Sequence, residues 1–154
     1  VWPRTTVYSA LFRRMRADDS KLWQLYLNEN AEPDGVVSFT EIDAVQGTAF
    51  WGFYAAPHAT RGTGMRMSLD ALDCAFNKLG IYKLNAEALA SNVRSLEMHR
   101  KVGFVEEGCF REQYSSGKER IDVVRLGMLV SEWPQNRLKL EARIDELSAG
   151  RSAS

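Results

Sequence analysis

Trp51-Gly-Phe-Tyr-Ala-Ala-Pro-His-Ala-Thr-Arg-Gly-Thr-Gly-Met65 is a β-rich run that breaks at Pro57 and passes through a small-residue loop into a long amphipathic segment. Trp51, Phe53 and Tyr54 suit a strand, and Pro57 cannot continue its ladder. Gly62 and Gly64 stand directly before the apolar period that opens at Met65, so loop amides and the positive end of a helix dipole meet at one place. Such a place holds an anion, pyrophosphate above all. Two common phosphate loops are excluded by spacing. A dinucleotide fingerprint needs glycine or alanine at position 67, which is Met67, and a Walker loop needs Gly-Lys-Ser/Thr, which is absent. Taken alone, the glycine pair reads equally well as a strand-to-helix turn.

Downstream, Met65, Leu69, Leu72, Phe76 and Leu79 form one apolar stripe, and Gly80 stops the predicted helix. Tyr82 to Ala90 reads as a strand, with Ser91 or Asn92 capping a second helix that runs to Val102 and ends at Gly103. Phe104–Tyr114 and Glu119–Val130 read as strands joined by the turn Ser115-Ser-Gly-Lys118. Pro134 fits the first turn of a last helix whose Leu140, Ile144 and Leu147 share a face, before an Arg-Ser-Ala-Ser tail expected to be disordered.

Upstream, the period of Val7, Leu11 and Met15 predicts a helix over Thr5–Ala17. Leu22–Leu27, Val36–Ile42 and Ala49–Ala55 read as an antiparallel meander, with a hairpin turn over Asn30–Gly35. The fold class is therefore α/β of the α+β kind: a mixed, mostly antiparallel central sheet flanked by helices, unlike doubly wound winding. Residues 1–133 make the predicted domain, and 134–154 a C-terminal helix and tail.

The 154 residues, 45% of them hydrophobic, can bury one core without disulfides or metals. Twenty basic and twenty acidic residues balance, so no charge argument favours nucleic acid or an anionic membrane. Cys74 and Cys109 form no CxxC pair, which argues against a zinc site and suits a reducing compartment, with cytoplasm the expectation. No apolar run approaches the ~18 residues of a membrane span, and no secretory leader pattern opens the chain.

Asn92-Val-Arg-Ser95-Leu-Glu-Met98-His99-Arg-Lys-Val-Gly103-Phe104 follows the glycine loop after one helix and one strand. This segment resembles the Asn-x-x-Ala/Ser-x-x-x-Tyr-x-x-x-Gly-Phe pattern of the GCN5-related N-acetyltransferases, and Arg61-Gly-Thr-Gly64 resembles their acetyl-CoA loop. The resemblance covers about 22–133. It implies transfer of an acetyl group from acetyl-CoA, as co-substrate and without a metal, to a primary amine in a ternary complex. Phe104-Val-Glu-Glu-Gly108, the hairpin and the ending through Trp133 are most similar to the acetyltransferases of pseudaminic acid biosynthesis. That similarity implies a UDP-linked 4-amino sugar as acceptor. Ribosomal-protein and spermidine acetyltransferases share much of this ending, so a protein N-terminus or a polyamine is the alternative, as is a domain that binds coenzyme A without turnover.

By the same resemblance, Phe53, Tyr54 and Ala55 would pair with the pantetheine amides. Backbone amides from Arg61, Gly62, Thr63, Gly64 and Met65 would hold the pyrophosphate. Ala59 stands where the family has glutamine or arginine, which leaves Arg61 to supply the charge. Asn92 and Ser95 would meet the pantetheine arm, though Asn92 serves equally as a helix cap. His99 replaces the family's tyrosine, and as an imidazolium would protonate the departing thiolate. Glu87 is the best base candidate, twelve residues before His99 (99 − 87), with Glu41, Asp43 and His58 as weaker alternatives and a water chain able to replace any of them. The bland alternatives for His99 and Glu87 are a packed imidazole and a solvated strand carboxylate. Family members carry a strand and a helix ahead of the one predicted at Thr5–Ala17. Their lack here would leave Leu22–Leu27 as an edge strand and make a homodimer a possible partner.

Overall fold

A computed structural model describes residues 19–152; the helix expected over Thr5–Ala17 lies outside them. The order is β1 (Leu22–Leu27), β2 (Pro33–Asp43), β3 (Thr48–Ala55), α1 (Thr63–Asp73), β4 (Lys83–Leu89), α2 (Val93–Val102), β5 (Val105–Ser115), β6 (Arg120–Leu129) and α3 (Trp133–Ser152). One six-stranded sheet runs β1-β2-β3-β4-β6-β5, with every neighbouring pair antiparallel except β3–β4. The mixed, mainly antiparallel sheet flanked by helices agrees with the expectation.

The first meander turn sits earlier than predicted. Asn28 makes it, its side-chain oxygen accepting the N–H groups of Asn30 and Glu32 at 2.9 and 3.0 Å. Asp34 and Gly35 are consequently strand residues. Gly35 is needed there because a Cβ would stand 2.5 Å from Met67 Sδ and 2.6 Å from the Tyr54 carbonyl oxygen.

The core lies between the sheet and α1. Val37, Phe39, Ala49, Trp51, Leu84 and Leu126 meet Met67, Ala71 and Leu72. The predicted stripe is correct at Leu72 and Phe76, while Met65, Leu69 and Leu79 pack at its border. Beyond Asp73 the helix passes into a π-helical turn over Cys74–Lys78, closed by the Leu79 N–H on the Cys74 carbonyl at 2.9 Å, which shifts the stripe only from Cys74 onward. Its extra residue rotates the stripe and brings Cys74, Ala75 and Phe76 together under cover.

The long α3 helix closes on α1 through Asp73, whose carboxylate accepts from Trp133 Nε1 at 3.0 Å and twice from Arg137 at 2.9 Å. Contrary to the expected tail, the helix continues through Ser152.

Candidate active site

β3 and β4 start as a parallel pair and then part. Their register holds at Thr48–Lys83, Ala49–Leu84 and Phe50–Asn85 and goes no further, while β4 stays paired with β6 as far as Leu89. At the fork, Asn85 Nδ2 donates to the Ala49 carbonyl at 3.2 Å. The opened V contains a cleft of about 920 Å³, of the size that ligand sites occupy. Asn85, which weakens a strand reading of the sequence, is thus the residue that fastens the two strands where they begin to diverge.

Each wall of this cleft comes from a different element. β3 supplies Phe53, Tyr54 and Ala55 beyond its last pairing to β4, with Tyr54 58% exposed. The loop supplies Arg61, Gly62, Thr63 and Gly64, whereas Met65 does not line the cleft and packs against the core. Gly62 adopts φ +91°, and no side chain caps α1, so the helix start is left to its own first-turn amides. One expected donor is lost: the Thr63 N–H turns back to the Thr60 carbonyl at 2.9 Å. The loop amides left at the cleft are those around Gly62 and Gly64.

The far wall is β4 and α2. Asn92 caps α2, its side-chain oxygen accepting the Ser95 N–H at 3.1 Å, so the structural alternative for this residue is realised. Asn92, Ser95 and His99 all line the cleft. His99 is 5% exposed at its base. Its Nε2 accepts from Trp51 Nε1 at 3.1 Å, and its Nδ1 donates to the Ser95 carbonyl at 2.7 Å. Burial pushes its pKa below the ordinary 6.5, and the Ser95 carbonyl only partly offsets that. Burial and the Trp51 bond both disfavour the imidazolium expected from the sequence, because desolvation penalises its charge and Nε2 already faces a donor.

Glu87 lines the cleft and also a second cavity of about 560 Å³ on the other side of β3, together with Ser38, Thr40, Glu41 and Arg125. Trp51, Gly52 and Glu87 border both, so the two cavities meet at these residues. Glu87 pairs with Arg125 Nη1 at 2.8 Å, directly across β4–β6. The guanidinium lies 4.3 Å over the Phe50 ring. Arg125 and Asn85 carry no motif, and only the pairing of strands distant in sequence reveals them. Among the described residues no cluster of His, Cys, Asp and Glu is arranged to hold a metal.

A cofactor cleft between splayed strands, a glycine loop at a helix start and an Asn-capped helix behind it agree with the sequence comparison. Residues 2–105 match the family described as acetyltransferase (GNAT) domain. The chain belongs to the GNAT acetyltransferases. It is an acetyl-CoA-dependent N-acetyltransferase, and acetyl-CoA is the co-substrate that this family uses.

Among its relatives is the spermidine N(1)-acetyltransferase of Vibrio cholerae, 26% identical over 125 residues, 73% of this chain and 72% of that protein. An SPbeta prophage-derived uncharacterized N-acetyltransferase of Bacillus subtilis is 29% identical over 105 residues, 66% of this chain and 58% of its own length. A dodecameric structure of the Vibrio cholerae spermidine enzyme superposes with a TM-score of 0.71 at 25% identity, covering 75% of this chain and 68% of that one. Its F149A mutant gives 0.72 at 24%, over 76% and 70%. The relatives whose substrate is named are spermidine enzymes and not amino-sugar enzymes, so the similarity of the hairpin and ending to amino-sugar enzymes does not carry the acceptor. No described helix is long and apolar enough to cross a membrane.

Proposed function

We propose that the GNAT enzyme acetylates a primary amine of a polyamine-type acceptor, with the acceptor entering through the cavity that Glu41, Glu87 and Arg125 line. The observation that carries this reading is the meeting of the two cavities at Trp51, Gly52 and Glu87. Two carboxylates against one guanidinium make the acceptor side net acidic, which suits a cation, and the similarity to spermidine acetyltransferases supports the same class.

In this reading acetyl-CoA lies in the V. Pantetheine runs along Phe53–Ala55, and the pyrophosphate sits at the amides around Gly62 and Gly64, with Arg61 adding charge. Asn92 spends only its side-chain oxygen on the cap, which leaves its amide N–H groups to meet pantetheine near Ser95. Glu87 takes the proton of the entering ammonium, directly or through a water. The neutral nitrogen then attacks the thioester carbon; the N–C bond forms, the C–S bond breaks, and coenzyme A leaves as thiolate.

Free-thiol release tests the acceptor class. With acetyl-CoA saturating, spermidine is expected to give a kcat/KM at least ten-fold above those of a UDP-linked 4-amino sugar and an N-terminal peptide. A preference for the sugar or the peptide would overturn the polyamine reading, and no release with any of the three would overturn turnover itself.

A further inference from the structure

We propose that Trp51 is a positioning residue that holds His99 as a neutral imidazole with its proton on Nδ1, so that the leaving thiolate takes its proton from cleft water and not from this ring. The inference rests on the acetyl-transfer reading only for its consequence at the thiolate.

Hydrogen-bond directions decide the tautomer. An indole N–H is a donor only, so His99 Nε2, 3.1 Å from Trp51 Nε1, must present its lone pair. A backbone carbonyl is an acceptor only, so Nδ1, 2.7 Å from the Ser95 oxygen, must carry the hydrogen. Protonating Nε2 would set two donors against each other at the base of a buried cleft, at a cost comparable to a lost hydrogen bond.

Packing fixes both partners. Trp51 is stacked on Phe104 at 5.2 Å, and His99 meets Trp51 edge-on at 5.7 Å and Phe104 at 5.1 Å. Trp51 comes from β3, His99 from α2 and Phe104 from the residue after Gly103, so rotation of one ring requires movement of three segments. The charged groups that face the same cleft are Glu87 from β4, Arg94 from α2 and Arg61 from the loop. None of them contributes to the His99 shift, which comes from burial and the Ser95 carbonyl.

The step balances without a ring proton. Glu87 takes one proton from the entering ammonium and returns it to solvent; attack then forms the N–C bond and breaks the C–S bond, and the second proton that the nitrogen sheds passes through cleft water to the thiolate, giving the amide and the free thiol.

Imidazole ¹⁵N NMR of the full chain tests this without cofactor or acceptor, since only His58 and His99 give signals. The wild type is expected to show His99 in the Nδ1–H form and titrating below the ordinary value. An Nε2–H form, or titration at or above that value, would overturn the proposal. In Trp51→Phe, which keeps an aromatic ring against Phe104, the titration midpoint is expected to rise by about half a pH unit or more; an unchanged midpoint would sink the role of Trp51. A second variant covers the case in which that protein does not fold. His99→Phe should lower kcat less than ten-fold, whereas a loss of about 10²–10⁴-fold would restore the ring as the acid. A wild-type protein with the expected tautomer and no thiol release would remove the functional reading and leave the tautomer standing.

Discussion

Glu87 is the most exposed part of the proposed chemistry, its side chain 43% accessible and paired with Arg125. Glu87→Gln keeps the shape and removes the proton acceptor, so kcat should fall by roughly 10²-fold while acetyl-CoA affinity is unchanged; equal turnover would take Glu87 out of the mechanism. Gly62 is constrained differently. Its φ of +91° strains any side chain, and a carboxylate there would face the pyrophosphate. Gly62→Asp is expected to weaken acetyl-CoA binding by about ten-fold or more, which calorimetry reads directly. His99 adds a pH signature. With its folded pKa below 6.5, the unfolded chain binds the proton more readily, so stability is full above pH 6.5 and is lost as pH falls toward the folded value. His99→Phe should flatten that acid limb in denaturant titrations; an identical slope would mean that the ring titrates alike in both states.

The elements were legible where period and punctuation agree. Leu22–Leu27 is β1 to the residue, and α2 follows from Asn92 at one end and Gly103 at the other, the latter at φ +112°. Legibility fails where one distant contact decides. Asp34-Gly35 has turn chemistry, yet Asn28 supplies a tighter turn and Met67 of α1 fills the space that only glycine leaves at Gly35. The π-helical turn at Cys74–Lys78 has no local signal, because its hydrogen bonds differ from a regular turn by one residue. That residues of the acetyltransferase pattern line one cleft was readable in the sequence, but the hydrogen bond that Trp51 gives His99 was not, since Trp51 lies 48 positions away. At this scale α3 is also more than an appendage. A Cβ at Gly62 would lie 3.4 Å from Leu147 Cδ1, so the helix backs the loop that begins α1. The Asp73–Arg137 pair anchors that helix. Arg137→Ala should cost about 1–2 kcal/mol, discounted for partial exposure, and raise the acetyl-CoA KM several-fold with kcat unchanged; an unaltered KM would uncouple the helix from the loop.

In the whole molecule, one sheet opens a cleft by changing its pairing midway. β4 stays with β6 and β3 leaves it after Phe50; in the proposed reading the gap takes acetyl-CoA and the cavity beside Glu41, Glu87 and Arg125 takes the amine. Zero formal net charge fits this division, because attraction is local: amides for the pyrophosphate, carboxylates for the amine. The most direct measurement is mass spectrometry of spermidine incubated with acetyl-CoA and the full chain, with thiol release followed in parallel. Spermidine carrying one acetyl group, formed mole for mole with free coenzyme A and abolished by a large excess of desulfo-coenzyme A, is the expected result. Thiol release with spermidine left unmodified, or acetylation of a UDP-amino sugar in preference to it, would contradict a polyamine acceptor.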